Sequence, residues 1–469
     1  MFINTRKIKT IYTISVFIAL AAFDNIIIGL FPPLFASIAK DFNVYITALG
    51  VISAINILVT SVSSIYWGYL AGKYRRKRLI IIGTIIWAIS VYLTSISANY
   101  AQLLMYQIFT GIGLGCIASI GFSVLTDCIP HKSRGMLLSL WGMSQGFGGI
   151  AGALMASQIA PNTNWRVPFE IVAIIGVLLI VLYLFVKEPS LGESDPELRE
   201  LVKQGIEYNH NIEISHLYPL LSKHSNVLLF LQGFFMNIST GSLIWLPTLY
   251  IAKMHALGYN DKISLITAGY IFALFQLGGL TSSLFGYIGD KLQRKSYKGR
   301  ARLTSFFVFI TAPLYIIMVL IPMKNFVLPD TENPALILTG LIGQIITNPW
   351  MTAMFIAAFL ASAAQSANTP NWLALITDVN LPEHRGTSFS VSNLANSFGR
   401  TVGNAGFGLV LAIISTYATS VEPHNYEIAM ILFQLFLIPS AYCYIRMAKS
   451  NEIDIMDVKS TLRDRAKIV

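Results

Sequence analysis

The chain has 469 residues, 54% hydrophobic and only 12% charged, with a mean hydropathy of +0.62. So apolar a composition at this length excludes a water-soluble globular protein. The formal net charge of +10 invites a polyanionic partner, but the placement of the basic residues, given below, excludes nucleic acid.

Apolar runs reach the length that about 30 Å of hydrocarbon demands of a helix. They predict an all-α membrane protein of twelve spans, at 11–39, 45–72, 79–98, 101–127, 134–160, 166–186, 226–254, 262–290, 303–323, 349–378, 385–418 and 427–447. The first run follows Arg6, Lys7 and Lys9, outlasts a signal peptide and lacks a small-residue cleavage site, so it reads as retained. With both termini on one side, that side holds 27 of the 33 Lys and Arg, the other holds Lys40, Arg166, Lys253, Lys262 and Lys324, and Arg400 lies inside the eleventh span. This bias predicts a multi-pass protein of the cell membrane, plasma or inner, with both termini cytoplasmic.

The expected organisation is a six-helix bundle at 1–186, a cytoplasmic linker at 187–225, a second six-helix bundle at 226–447 and a cytoplasmic tail at 448–469. Within the linker, Ser194 to Glu197 form a capping-box-like start to a short surface helix at 198–205. The apolar stretch 335–347 is too short to span and is expected as an extracellular helix or an extension of the tenth span. Arg166 is expected to pair with Glu170 at the start of the sixth span. The three cysteines (Cys116, Cys128, Cys443) suggest packing, with no disulfide framework, metal cluster or cofactor site.

The halves echo one another. Thr126, Asp127, Pro130, Arg134 and Gly135 recur as Thr377, Asp378, Pro382, Arg385 and Gly386. Gly68, Tyr69 and Lys73 recur as Gly286, Tyr287 and Lys291, and Pro33 with Ile38, Ala39 and Lys40 recurs as Pro247 with Ile251, Ala252 and Lys253. Internal repeats of this kind place a binding site between the halves.

With those motifs the chain resembles the major facilitator superfamily, which implies two pseudo-symmetric six-helix bundles around a central cavity. The family signature between spans two and three reads here Gly68, Tyr69, Leu70, Ala71, Gly72, Lys73, Tyr74, Arg75, Arg76, Lys77, Arg78, with Gly72 where the family carries aspartate. The second copy keeps Asp290 and Lys291, so the resemblance implies a cytoplasmic gate of Gly68, Lys73, Arg76, Asp127, Arg134, Asp290, Lys291, Asp378 and Arg385 that leans on Asp290. Alternatively these basic runs only fix topology. Gly111, Gly113, Gly115, Asp127, Pro130, Arg134, Gly135, Trp165, Arg166 and Pro168 look most like the spinster-like lipid transporters, then the sugar and organic-acid porters. Asn25, Gln107 and Leu114 stand where spinster-like proteins carry charges. Gly142, Gly146, Gly149 and Gly152 are similar to a glycine-rich antiporter motif, with Phe147 at its usual proline; close helix packing explains the same pattern.

Charges at membrane depth cost a few kcal/mol and are seldom kept without a use. Asp24, midway along the first span, is the candidate proton-coupling residue, or a structural acid. Arg400 cannot deprotonate and reads as an anion clamp or a salt bridge between bundles. Candidate solute contacts are Asn56, Gln107, Trp141 and Gln145 in the first half, and Asn237, Trp245, Gln276, Gln365, Asn368, Asn371 and Asn396 in the second. Pro32, Pro33, Pro247 and Pro370 are expected to break helices and permit bending.

No nucleophile with a partnered base, phosphate loop or metal-ligand set appears, which argues against an enzyme or an ATP-driven pump. The expectation is a monomeric secondary transporter of a small organic or amphipathic solute in the bilayer, coupled to protons. An uncoupled facilitator, or a receptor that keeps the fold without turnover, are the alternatives.

Overall fold

A computed structural model of the chain describes residues 5–71, 74–121, 124, 134–186, 217–417 and 422–468. Among them no strand occurs, and eleven helical segments are long and apolar enough to cross a bilayer. The fifth expected span is the 26-residue helix Arg134–Ile159.

The first half comprises α1 (Thr5–Leu30), α2 (Phe35–Phe42), α3 (Ile46–Ala71), α4 (Arg76–Ser95), α5 (Tyr100–Cys116), α6 (Arg134–Ile159) and α7 (Val167–Leu184). The second comprises α8 (Leu217–Ser222), α9 (His224–Ser242), α10 (Leu246–Ala256), α11 (Asp261–Phe275), α12 (Ser282–Lys295), α13 (Gly299–Leu320), α14 (Pro334–Thr347), α15 (Pro349–Ser366), α16 (Asn368–Asp378), α17 (Pro382–Tyr417), α18 (His424–Gln434) and α19 (Leu437–Ile468). The short helix α14 packs on α15 and α11 and is separated from α15 by Asn348, whose side chain caps α15 by accepting from the Trp350 amide.

Several spans are broken in mid-course. Pro32 and Pro33 open a tight turn, Pro32–Leu34, between α1 and α2, and Pro247 sits in the first turn of α10 after a similar break. Proline lacks the amide proton an interior helical position must donate, so it is tolerated at a fresh helix start. Pro370 likewise falls in the first turn of α16. On the face opposite the termini, called here the far face, α2 closes on Asn43 in the left-handed conformation.

Glycines set the tightest seams. A Cβ on Gly152 would overlap the Ile26 carbonyl oxygen, and one on Gly148 would overlap that of Ala22, so α6 lies directly against α1. The same construction joins α17 to α9, where Gly403 faces the Ile238 carbonyl and Gly399 that of Phe234. Small residues permit this approach, and in lipid close packing replaces the hydrophobic effect as the force between helices. The glycine run of the fifth span is therefore a packing seam at Gly148 and Gly152, while Gly146 faces open space and lines the cavity described below.

One expectation needs revision, that for Arg166. The chain from 448, expected as a tail, is helical: α19 continues unbroken to Ile468 and docks on the loop before α13, with Asn451 donating to the Tyr297 carbonyl (2.7 Å) and Glu452 pairing with Lys298 (3.2 Å). Arg166 pairs with Asp41 (2.7 Å) rather than Glu170, stacks over Trp165, and donates to the Ser97 carbonyl, because the far-face end of α2 comes to rest beside the start of α7. Lys253, near the far-face end of α10, is buried; it pairs with Glu427 (2.8 Å) and donates to the Val319 carbonyl (2.8 Å). The linker helix at 198–205 and Cys128 lie outside the described residues, and Cys116 and Cys443 are buried, with the Cys116 thiol donating to the Leu79 carbonyl (3.2 Å).

Candidate functional site

Between the two halves lies a cavity of about 470 Å³. Its first-half wall comes from α1, α3, α5 and α6 and is mostly apolar or small, with Asn25, Asn56 and Thr60 as its polar members. Its second-half wall is richer: Asn237 and Thr240 on α9, Gln276 at the break between α11 and α12, Tyr315 on α13, Gln365 and Asn368 around the α15–α16 break, and Asn393, Asn396, Ser397 and Arg400 on α17. Trp372, Phe389, Phe272 and Phe275 add aromatic surface. Among the described lining residues Arg400 is the only charged one.

Most of these polar groups are already engaged. Asn56 donates to the Gln107 carbonyl (2.7 Å), Asn237 to the Gly233 carbonyl (2.8 Å), and Tyr315 to Gln365 Oε1 (2.5 Å). Gln365 in turn donates to Thr240 Oγ1 (3.1 Å), and Asn368 Oδ1 accepts from Tyr444 (2.7 Å). The α17 stripe differs. Among the described residues the side chains of Asn393, Ser397 and Arg400 have no hydrogen-bond or ion-pair partner, and Asn396 Oδ1 is buried without one.

The far-face end of the cavity is stoppered by Trp245. Its ring, fully buried, lies edge-on to Phe35 (5.6 Å) and stacks on Phe407 (5.4 Å), and its Nε1 donates to Asn404 Oδ1 (2.9 Å). Gly50 of α3 admits the ring: a Cβ there would come within 2.5 Å of it. The two halves also touch along α3 and α17, where Ser61 donates to the Asn393 carbonyl (3.3 Å) and Thr401 to the Ala54 carbonyl (3.2 Å).

Of the sequence candidates, Arg400, Asn56, Asn237, Gln276, Gln365, Asn368 and Asn396 line the cavity. Three do not. Gln107 turns away to bond Thr94 and Asn56 behind the wall, Trp245 is the far-face stopper, and Asn371 is packed against Gly289 with its amide donating to the Ala367 carbonyl (2.8 Å). The side chains of Asp24, Trp141 and Gln145 lie outside the described residues; Asp24 occupies α1 one position before the cavity-lining Asn25. Sequence reasoning missed Tyr315, Trp372, Phe389 and Asn393. For Asn393 and Phe389 a signal existed: with Asn396 and Arg400 they fall at i, i+4, i+7 and i+11 on one helix face.

On the face that bears the termini, Asp290 pairs with Arg300 (2.8 Å), whose Nε lies 3.9 Å from Asp378. Gln293 donates to Asp378 (3.3 Å), and Arg385 Nε donates to the Thr377 carbonyl (3.1 Å). This cluster joins α12, α13, α16 and α17 of the second half to one another. Arg300, absent from the motif, is its hub; Lys291 is exposed. In the first half Gly68 has open space around it and Arg76 is buried at the start of α4. Lys73, Asp127 and the side chain of Arg134 lie outside the described residues.

The family model described as Major Facilitator Superfamily matches residues 14–355. The chain is 20% identical over 392 residues to "Protein spinster" of Drosophila melanogaster, covering 78% of this chain and 63% of that protein, so it spans just under two thirds of that relative's length. It is 24% identical over 191 residues to the riboflavin transporter RibZ of Clostridioides difficile, covering 40% and 41% of the two chains. The structure of a bacterial homolog of the human lysosomal transporter Spinster superposes with a TM-score of 0.66 at 18% identity, covering 94% of this chain and 97% of the other.

Proposed function

Because the chain belongs to the major facilitator superfamily, we propose that it is a secondary transporter that carries a small organic or amphipathic solute by alternating access, driven by a proton gradient. The cavity between the halves carries this reading, since it is lined from both bundles and the ring contact of Trp245 with Phe35 at its far-face end joins one half to the other. A relative named as a riboflavin transporter supports a transported cargo rather than a reaction.

The geometry supplies the moving part. Trp245 belongs to the second half and is held on the first-half side by Phe35 and Gly50. Rocking one bundle against the other withdraws the ring from that slot and opens the cavity at the far face, while the glycine seams inside each half keep the bundles rigid. Asp24 is assigned the coupling proton, because it adjoins a cavity-lining residue and a carboxyl at membrane depth is costly to keep ionised. The termini are assigned to the cytoplasm from the basic bias.

Flux in proteoliposomes tests this. Asp24→Asn is expected to abolish accumulation driven by a pH gradient while leaving counterflow exchange measurable. Equal gradient-driven accumulation by the variant would remove Asp24 from the coupling role, and wild-type flux indifferent to a protonophore would make the protein an uncoupled facilitator.

A further inference from the structure

Resting on the transporter reading, we propose that the cavity selects an elongated organic carboxylate, with its carboxylate on Arg400 and its apolar body lying along α17 towards Trp372 and Phe389.

Charge comes first. A guanidinium cannot shed its proton, so at membrane depth it needs water, an acid or an anionic ligand. Arg400 lines the cavity, and no acid among the described residues pairs with it. Its five donors form a fork matched to a carboxylate's two oxygens. One cation, with no described acid in the wall, matches a ligand carrying a single negative charge.

The second observation is the direction of the stripe. Phe389, Asn393, Asn396 and Arg400 lie on one face of the unbroken helix α17, and the eleven residues from first to last advance about 16 Å. Phe389 and Trp372 pack together at 5.8 Å, with the Trp372 Nε1 donating to Ser392 (3.0 Å), so that end offers ring surface whose indole N–H is already used. Asn393 and Asn396, without side-chain partners among the described residues, lie between, where they serve a ligand's intermediate polar atoms or water. The polar chain from Tyr315 through Gln365 to Thr240 is internally satisfied and so offers a ligand less than the α17 stripe does.

The test uses the full-length protein in nanodiscs of zwitterionic lipid, with radiolabelled decanoate measured as saturable binding above empty discs. Dodecanoate and decanoate are expected to compete, and dodecanol and dodecyltrimethylammonium to fail. Arg400→Gln is expected to raise the decanoate Kd at least about thirty-fold, with Arg400→Lys recovering part of the loss. Trp372→Ala is expected to weaken decanoate more than benzoate, which is too short to reach that end. Competition by dodecanol equal to that of decanoate, or wild-type affinity in Arg400→Gln, overturns the proposal. If Arg400→Gln does not fold, the wild-type competition series decides alone. Decanoate binding without flux in proteoliposomes would sink the transporter reading and leave the ligand class standing; flux of a neutral or cationic solute that no carboxylate competes would do the reverse.

Discussion

The helix pair α1–α6 and its counterpart α9–α17 are built alike and used differently. Both are sealed by glycines pressed on the neighbour's carbonyl oxygens: Gly148 and Gly152 on α1, Gly399 and Gly403 on α9. On the cavity side, though, the described part of α6 presents only Gly146 and Gly149, while α17 presents Asn393, Asn396, Ser397 and Arg400. The scaffold repeats because backbone contact in lipid depends on the seam alone. The chemistry need not repeat, because cavity-facing positions are free of that constraint.

The sharpest way to break this comparison is to attack both seams. Gly152→Leu and Gly403→Leu each drive a side chain into backbone that no rotamer change can move aside. Each is expected to destabilise by about 3 kcal/mol or more, read as loss of the monodisperse peak in size-exclusion chromatography. If only one variant fails, the seams are not equivalent.

The far-face ion pairs offer a second contrast, with polarity exchanged between halves. Lys253–Glu427 is buried, its side chains 6% and 16% exposed, whereas Arg166–Asp41 is 29% and 43% exposed. Lys253→Met leaves the Glu427 carboxylate beside His424 Nδ1 (2.9 Å) without its lysine and is expected to cost about 3 kcal/mol, whereas Asp41→Asn is expected to cost about 1 kcal/mol or less. Thermal denaturation checks both, and Lys253→Met combined with Glu427→Gln is expected to recover much of the loss. Equal shifts from the two single variants would show that burial does not separate the halves.

The smallest effect separates wall from lining. Gln107→Leu removes bonds to Asn56 and Thr94 behind the first-half wall, and is expected to lower stability by about 1 kcal/mol with solute affinity unchanged. Asn396→Ala is expected to do the opposite, weakening affinity with little change in melting temperature. Isothermal binding and denaturation on the same preparations distinguish them, and a changed affinity in Gln107→Leu would return that residue to the site.

Composition and pattern made the spans, the break at the Pro32–Pro33 pair and the repeat between halves legible, since hydrocarbon thickness and proline's missing donor act on the chain locally. The short helix at 335–347 was legible for the same reason. The continuation of α19 past residue 447 was not, because the Lys298–Glu452 and Tyr297–Asn451 contacts that dock it join residues more than 150 positions apart.

What the sequence settled by itself is the membrane setting, the helical class and the scarcity of intramembrane charge. What only the tertiary structure decided is which polar residues meet in the cavity: Gln107, Trp245 and Asn371 look as suitable in the sequence as Asn237, Gln365 and Asn396. A span apolar around its whole circumference carries no moment to tell the lipid side from the cavity side, so the azimuth of each helix is set by its neighbours.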